Sequence, residues 1–224
     1  TKKVTDMKEI LCFGDSNTYG LIPGTNRRYD RETRWTGILS EKLYDKGYRI
    51  IEEGLCGRTS IFDDATRDGR NGAKVLPMIL ETHAPLDQVV LMLGTNDCKT
   101  YNHASAERIG KGIEKLIQQI RKADPAIDIL LVSPIELGED VWKPGFDPEF
   151  DQHSVKVSKQ LKQTYLNIAW KYGCDFLAAS DVAKPSKADM EHMNEEGHKN
   201  LAGAIESFLV EKERNHSNDY VNVV

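Results

Sequence analysis

Paired cysteines are what this 224-residue chain most plainly lacks. Cys12, Cys56, Cys98 and Cys174 stand far apart, with no CxxC and no zinc-ligand spacing. Without an export signal, free and mostly buried thiols are expected, and a cytoplasmic location with them. No apolar run approaches the ~18 residues of a membrane span. The lysines of TKKVTDMKEILCFG precede no apolar stretch of signal-peptide length. No basic block stands out, and 30 Lys and Arg against 35 Asp and Glu leave a net charge of −5, so nucleic acid is not an expected partner. HMNEEGH is not HExxH and its histidines do not share a helical face, so neither a metal nor another cofactor is expected.

Repeats, low-complexity tracts and linkers are absent too. One domain over residues 1–224 is expected, with 1–7 an N-terminal extension and 213–224 a tail that loses helical periodicity. Met7, just ahead of the first strand, reads as the natural start.

What is present is alternation. EILCFG, YRIIEEG, DQVVLML, AIDILLVS and CDFLAA read as five buried strands. Between them, RWTGILSEKLYDKG carries Trp35, Ile38, Leu39 and Leu43 at helical spacing and stops at Gly47. NGAKVLPMILETH is a shorter helix, and long helices cover roughly 104 to 123 and 149 to 172, with NEEGHKNLAGAIESFLVEK the last. Residues 134 to 148 form a proline- and glycine-bearing loop. This order predicts an α/β fold: a three-layer αβα, flavodoxin-like sandwich around a five-stranded, mostly parallel sheet.

In such sheets ligands bind beyond the carboxyl ends of the strands. Ser16 follows strand one, Gly57 strand two, Asn96 strand three, and Asp189 with His192 the fifth strand. Residues distant in sequence thus converge on one edge. A serine hydroxyl is a weak nucleophile until a base takes its proton, and a histidine base needs a carboxylate to hold its tautomer. Asp189 and His192, three apart, can serve as orienter and base. The N–H groups of Ser16 and Gly57 and the Asn96 amide can receive an oxyanion, with glycine at 57 letting the backbone approach a substrate.

Plainer roles compete. Ser16 could cap a turn, Asn96 could be a turn residue, and Asp15 and Asp97 read as structural acceptors. His198, in the last helix, is the rival to His192, and Asp175 and Asp181 are rival acids. Cys56 and Cys98 flank the donors but read as inert packing. Trp142 and Phe146 stand either as pocket walls or as oligomer contacts.

GDSN, GLCGRT, GTND and DMEH, in this order, resemble the four signature blocks of the SGNH hydrolases, the GDSL esterases and lipases. RWTG, the NGA…LP helix and LDQVVLMLGTND are further similar to the small arylesterase and acyltransferase branch. The resemblance implies Ser16 as nucleophile, Gly57 and Asn96 as oxyanion residues, and Asp189 and His192 as the acid–base pair. It also implies self-association. Where the branch commonly has leucine after the serine, and often tryptophan shortly beyond, this chain has Asn17 and Tyr19, and Gly138 to Phe150 departs as well; both stretches are expected to border an acyl pocket.

The expected activity is that of a serine esterase cleaving short acyl groups, most of all acetyl, from a small-molecule ester, by hydrolysis or transfer. A carbohydrate O-deacetylase is the alternative within that class. A flavodoxin-like module holding phosphate or nucleotide at GDSNTYG is the alternative outside it, although a Walker lysine and GxGxxG are missing.

Overall fold

The computed structural model describes residues 7–221, with side chains up to residue 215. Five strands, β1 (Lys8–Gly14), β2 (Tyr48–Gly54), β3 (Gln88–Met92), β4 (Asp128–Ser133) and β5 (Asp175–Ala178), form one sheet in the order β2-β1-β3-β4-β5. Every pairing is parallel, with Leu11 beside Ile51 on one flank and Val89 on the other.

The sheet is buried on both faces, as its apolar strands require. Alternate residues of each strand point to opposite sides. Leu11, Phe13, Val89, Leu91, Ile129 and Leu131 therefore enter one core, and Ile10, Cys12, Val90, Met92, Leu130 and Val132 the other. The first core is closed by α3 (Gly72–His83), α4 (Ala106–Ala123) and α5 (Gln152–Tyr172), the second by α2 (Trp35–Leu43) and α6 (Glu195–Val221). In α4 the fully buried Ile109, Ile113, Leu116, Ile117 and Ile120 recur at helical spacing along one face. Truncating a wholly enclosed side chain such as Leu91 to alanine should cost about 2–5 kcal/mol.

Capping sets where the helices begin. Ser105 accepts from the Arg108 N–H, so α4 opens at Ala106 rather than near 104. Asp151 and Ser154 form a capping box, so α5 opens at Gln152 rather than near 149, and Gly173 closes it with φ 63°. The last helix runs on to Val221, through residues the sequence reads as a tail; Thr1 to Asp6 of the expected extension, and 222–224, lie outside the described residues. The segment between β4 and α5 forms no helix, and its Val141 and Phe150 are buried in the first core. Among the described residues no helix is long and apolar enough to cross a membrane.

The strand order reverses beside β1, since β2 lies on one side of it and β3 on the other. A crevice opens at such a switch point, outside the carboxyl ends of the strands. Ser16 follows β1 there, and Asn96 follows β3.

Candidate active site

The turn from β1 into the four-residue helix α1 (Ser16–Tyr19) is tight. A Cβ on Gly14 would lie 2.1 Å from Thr18 Oγ1 and 2.9 Å from the Met92 carbonyl, so only glycine fits. Asp15 caps α1 by accepting the Asn17 N–H at 2.9 Å. Burial pushes its carboxyl up to about 6, against the hydrogen bond from Asn17 and the nearby charges of His192 and Arg58.

Ser16 Oγ lies 2.8 Å from His192 Nε2, and His192 Nδ1 lies 2.7 Å from Asp189 Oδ2. An ionised carboxylate only accepts, so the ring hydrogen sits on Nδ1 and the Nε2 lone pair faces the serine hydroxyl. Asp189 is itself held: Oδ1 accepts the N–H groups of Glu191 and His192, each at 3.0 Å, and Oδ2 accepts that of Gly24 at 3.0 Å. Burial would raise its pKa, but these bonds and the His192 charge hold the carboxyl below its ordinary value. For His192, burial disfavours the charged ring; the bond to Asp189 and the charges of Glu191, Asp189 and Asp15 outweigh it and raise the pKa.

The loop carrying this pair is tied down along its length. Ser186 N–H donates to the His192 carbonyl, Met190 N–H to that of Ser186, and Gly138 N–H to that of Met190. Met190 sits at φ 62°, a left-handed conformation unusual for its side chain and kept by those bonds.

Three donors on these strand-end turns stand unspent. Among the described residues the N–H groups of Ser16 and Gly57 have no acceptor, and Asn96 uses one amide hydrogen on the Arg58 carbonyl at 3.1 Å, leaving the other. The turns bearing them are joined: Leu55 N–H and Arg58 Nη1 both donate to the Gly14 carbonyl, and Asp97 accepts from the N–H and hydroxyl of Ser60. Asp97 is therefore a structural acceptor, and burial pushes it up to about 6 despite the bonds from Ser60.

Glycine at 57 has a further reason in its backbone and its neighbour. Its φ is 83°, and an added Cβ would lie 2.4 Å from Arg67 Nη2. The space over Gly57 is filled by this chain's own guanidinium, anchored by Asp64 through Nε and Nη2.

The rival residues are engaged elsewhere. His198 is fully buried, accepts the Trp35 N–H on Nδ1 at 3.1 Å and stacks edge-on against Tyr29; burial, then repulsion from His192, lowers its pKa to about 4. Asp175 pairs with Lys212, and Asp181 with Lys162. All four cysteines are free; burial raises the thiol pKa of both Cys56 and Cys98. Trp142 bonds its own loop through the Glu139 carbonyl and packs on the first core.

Asn17, expected to border an acyl pocket, joins the two loops of the site. It is 3% exposed and spans to the histidine loop, Oδ1 accepting the Met193 N–H at 3.0 Å and Nδ2 donating to the Glu191 carbonyl at 3.4 Å. Tyr19 lies under the Arg28 guanidinium, 4.3 Å from the ring centre. Two further charged residues escape sequence reasoning. Lys99 is buried against Glu149 at 2.6 Å, and Glu191 lies 3.7 Å from His192 Nε2. Only the adjacency of Glu191 to His192 in DMEH hints at the second, and nothing in the sequence pairs the first. Burial, partly offset by the His192 charge, pushes the Glu191 carboxyl up to about 7.

A cleft of about 780 Å³, lined by Pro77, Leu86 and Ile127 among others, lies at the opposite edge of the sheet, and no residue of the site lines it. Among the described residues no group of three or more His, Cys, Asp or Glu is arranged to hold a metal ion.

This sheet order, with serine, histidine and aspartate in series at its switch point, is the arrangement of an ester-cleaving hydrolase. The GDSL-like Lipase/Acylhydrolase family matches residues 12–200, and the chain belongs to that family. Solved structures agree. The aryl esterase of M. smegmatis superposes with a TM-score of 0.85 at 33% identity, over 91% of this chain and 99% of that one. A carbohydrate acetylesterase from Sinorhizobium meliloti does so with a TM-score of 0.83 at 37% identity, over 91% and 98%. No curated protein matches the chain. The protein is thus a carboxylic ester hydrolase similar to the small arylesterases, rather than a phosphate-holding module.

Proposed function

We propose that this enzyme hydrolyses short-chain esters, acetyl esters foremost, through an acyl-serine intermediate at Ser16. The observation that carries the reading is the unbroken series Ser16 Oγ, His192 Nε2, His192 Nδ1, Asp189 Oδ2, at 2.8 and 2.7 Å. Ser16 Oγ attacks the carbonyl carbon as its proton passes to Nε2. The oxyanion forms among the N–H groups of Ser16 and Gly57 and the free hydrogen of Asn96, and losing one such donor typically costs roughly 10²–10³-fold in kcat. Asp189 stays ionised and stabilises the imidazolium. The Nε2 proton then goes to the departing alkoxide. Water enters by the same route in reverse, releasing the acid and restoring Ser16.

A short acyl group is supported by the site's surroundings. Arg67 lies over Gly57, and Glu191 beside His192 feels the charge of Lys99, poor company for a long alkyl chain. Rates on p-nitrophenyl acetate, butyrate and octanoate test this: kcat/KM should fall with length, and a maximum at octanoate would overturn the short-acyl reading.

A sugar alcohol is the second reading, favoured by similarity to the S. meliloti carbohydrate acetylesterase. Acetylated saccharides cleaved with higher kcat/KM than phenyl acetate would support it; no acetate release from them would exclude it.

A further inference from the structure

Glu191 is fixed at both ends of its backbone, while its carboxyl makes only a long ion pair with His192. Its N–H donates to Asp189 Oδ1 at 3.0 Å, and its carbonyl accepts from Asn17 at 3.4 Å. The side chain is only 10% exposed, yet among the described residues no donor reaches its carboxyl within hydrogen-bond distance. Lys99, a cation in its field, has its ammonium on Glu149. The nearest polar neighbour is His192 Nε2, 3.7 Å from Oε1. At 3.7 Å the ion pair with His192 is too long for a direct hydrogen bond, and a separation of that size is one a single small molecule can bridge.

Water fits that place. A molecule roughly 2.8 Å from both Nε2 and Oε1 spans their 3.7 Å separation with an angle near ~80° at its oxygen. Resting on the acyl-serine reading above, we propose that Glu191 positions the water that hydrolyses the acyl-enzyme and so favours hydrolysis over transfer to an alcohol. Once Ser16 Oγ carries the acyl group, Nε2 has lost its hydroxyl partner and accepts one O–H of the water; the carboxyl of Glu191 accepts the other. The water oxygen bonds to the acyl carbon, the carbonyl π pair moves onto the oxyanion, and the first proton passes to Nε2. Collapse breaks the bond to Ser16 Oγ, which takes that proton back. Glu191 exchanges no proton, and in either protonation state it keeps a lone pair to accept with. An alcohol has a single O–H and must give it to Nε2. Its alkyl group then faces the carboxyl, which gains no hydrogen bond from it.

The test is the ratio of acetic acid to acetate ester formed from p-nitrophenyl acetate in water containing a fixed amount of methanol, corrected with Ser16→Ala. This ratio is internal to each active molecule, so it survives a loss of folded enzyme. In Glu191→Leu, which has no acceptor, the ratio should fall roughly three- to tenfold, and Glu191→Gln, which keeps an acceptor oxygen, should recover part of it. An unchanged ratio in Glu191→Leu overturns the proposal. Phenyl acetate as second donor separates the two readings: a common acyl-enzyme requires the same ratio from both esters. A ratio that depends on the leaving group removes the acyl-serine reading, and this proposal with it.

Discussion

Asn17 Oδ1 accepts the backbone N–H of Met193 at 3.0 Å across 176 residues of sequence. With the bond from Asn17 Nδ2 to the Glu191 carbonyl, one side chain beside Ser16 grips both flanks of His192. The spacing of nucleophile and base is thus set by a bond between their two loops rather than by either loop alone.

Removing that grip should cost rate more than binding. In Asn17→Ala, kcat on p-nitrophenyl acetate should fall by up to about 10²-fold with KM little changed, the scale of a misplaced reacting group. Asn17→Asp keeps the acceptor for Met193 and should retain more activity than the alanine variant. Equal losses in both would show that the contact does not position His192.

The pH profile follows from the sign of the His192 shift. The neutral ring is the base, and its pKa lies above the ordinary 6.5, so the rate should fall as pH drops through a value above 6.5. Burial alone would lower that pKa; the bond to Asp189 leads the causes that raise it. Asp189→Asn should therefore move the acidic limb toward lower pH and reduce kcat by about 10⁴-fold. Stopped-flow rates from pH 5 to 9 read both effects, and a limb that stays in place would separate Asp189 from His192.

Gly57→Ala meets two obstacles, a φ of 83° and the Arg67 guanidinium 2.4 Å from the new Cβ. The left-handed conformation alone should cost about 1–2 kcal/mol of stability, and displacing the 57 N–H should lower kcat roughly 10²–10³-fold. Adding Arg67→Ala should relieve the clash but not the backbone strain, recovering part of the thermal stability. Full recovery would mean that φ is not the constraint.

The sheet was legible because β-strands buried on both faces are apolar throughout: EILCFG and DQVVLML announce themselves. Helix starts moved by two or three residues where Ser105 and Asp151 cap, since a capping side chain lies outside the helix it begins. The strand-end rule brought Ser16, Asn96 and His192 to one edge before any distance was known. What stayed hidden depends on tertiary neighbours. Nothing local says that Arg67 fills the space over Gly57, that Lys99 is buried against Glu149, or that Asn17 turns toward Met193 instead of outward. The alternation that fixes a strand's faces has no counterpart in a loop, so DMEH gave the identity of Asp189 and His192 but not the direction of the Glu191 side chain.

The central claim is that Ser16, 2.8 Å from His192 Nε2, is the group acylated during turnover. Its most direct test is release of p-nitrophenol from p-nitrophenyl acetate by wild type and Ser16→Ala side by side. The account predicts a fall of about 10⁶-fold in kcat, the cost of a lost triad serine. Equal rates from the two proteins would contradict it and leave Ser16 as no more than the first residue of a short helix.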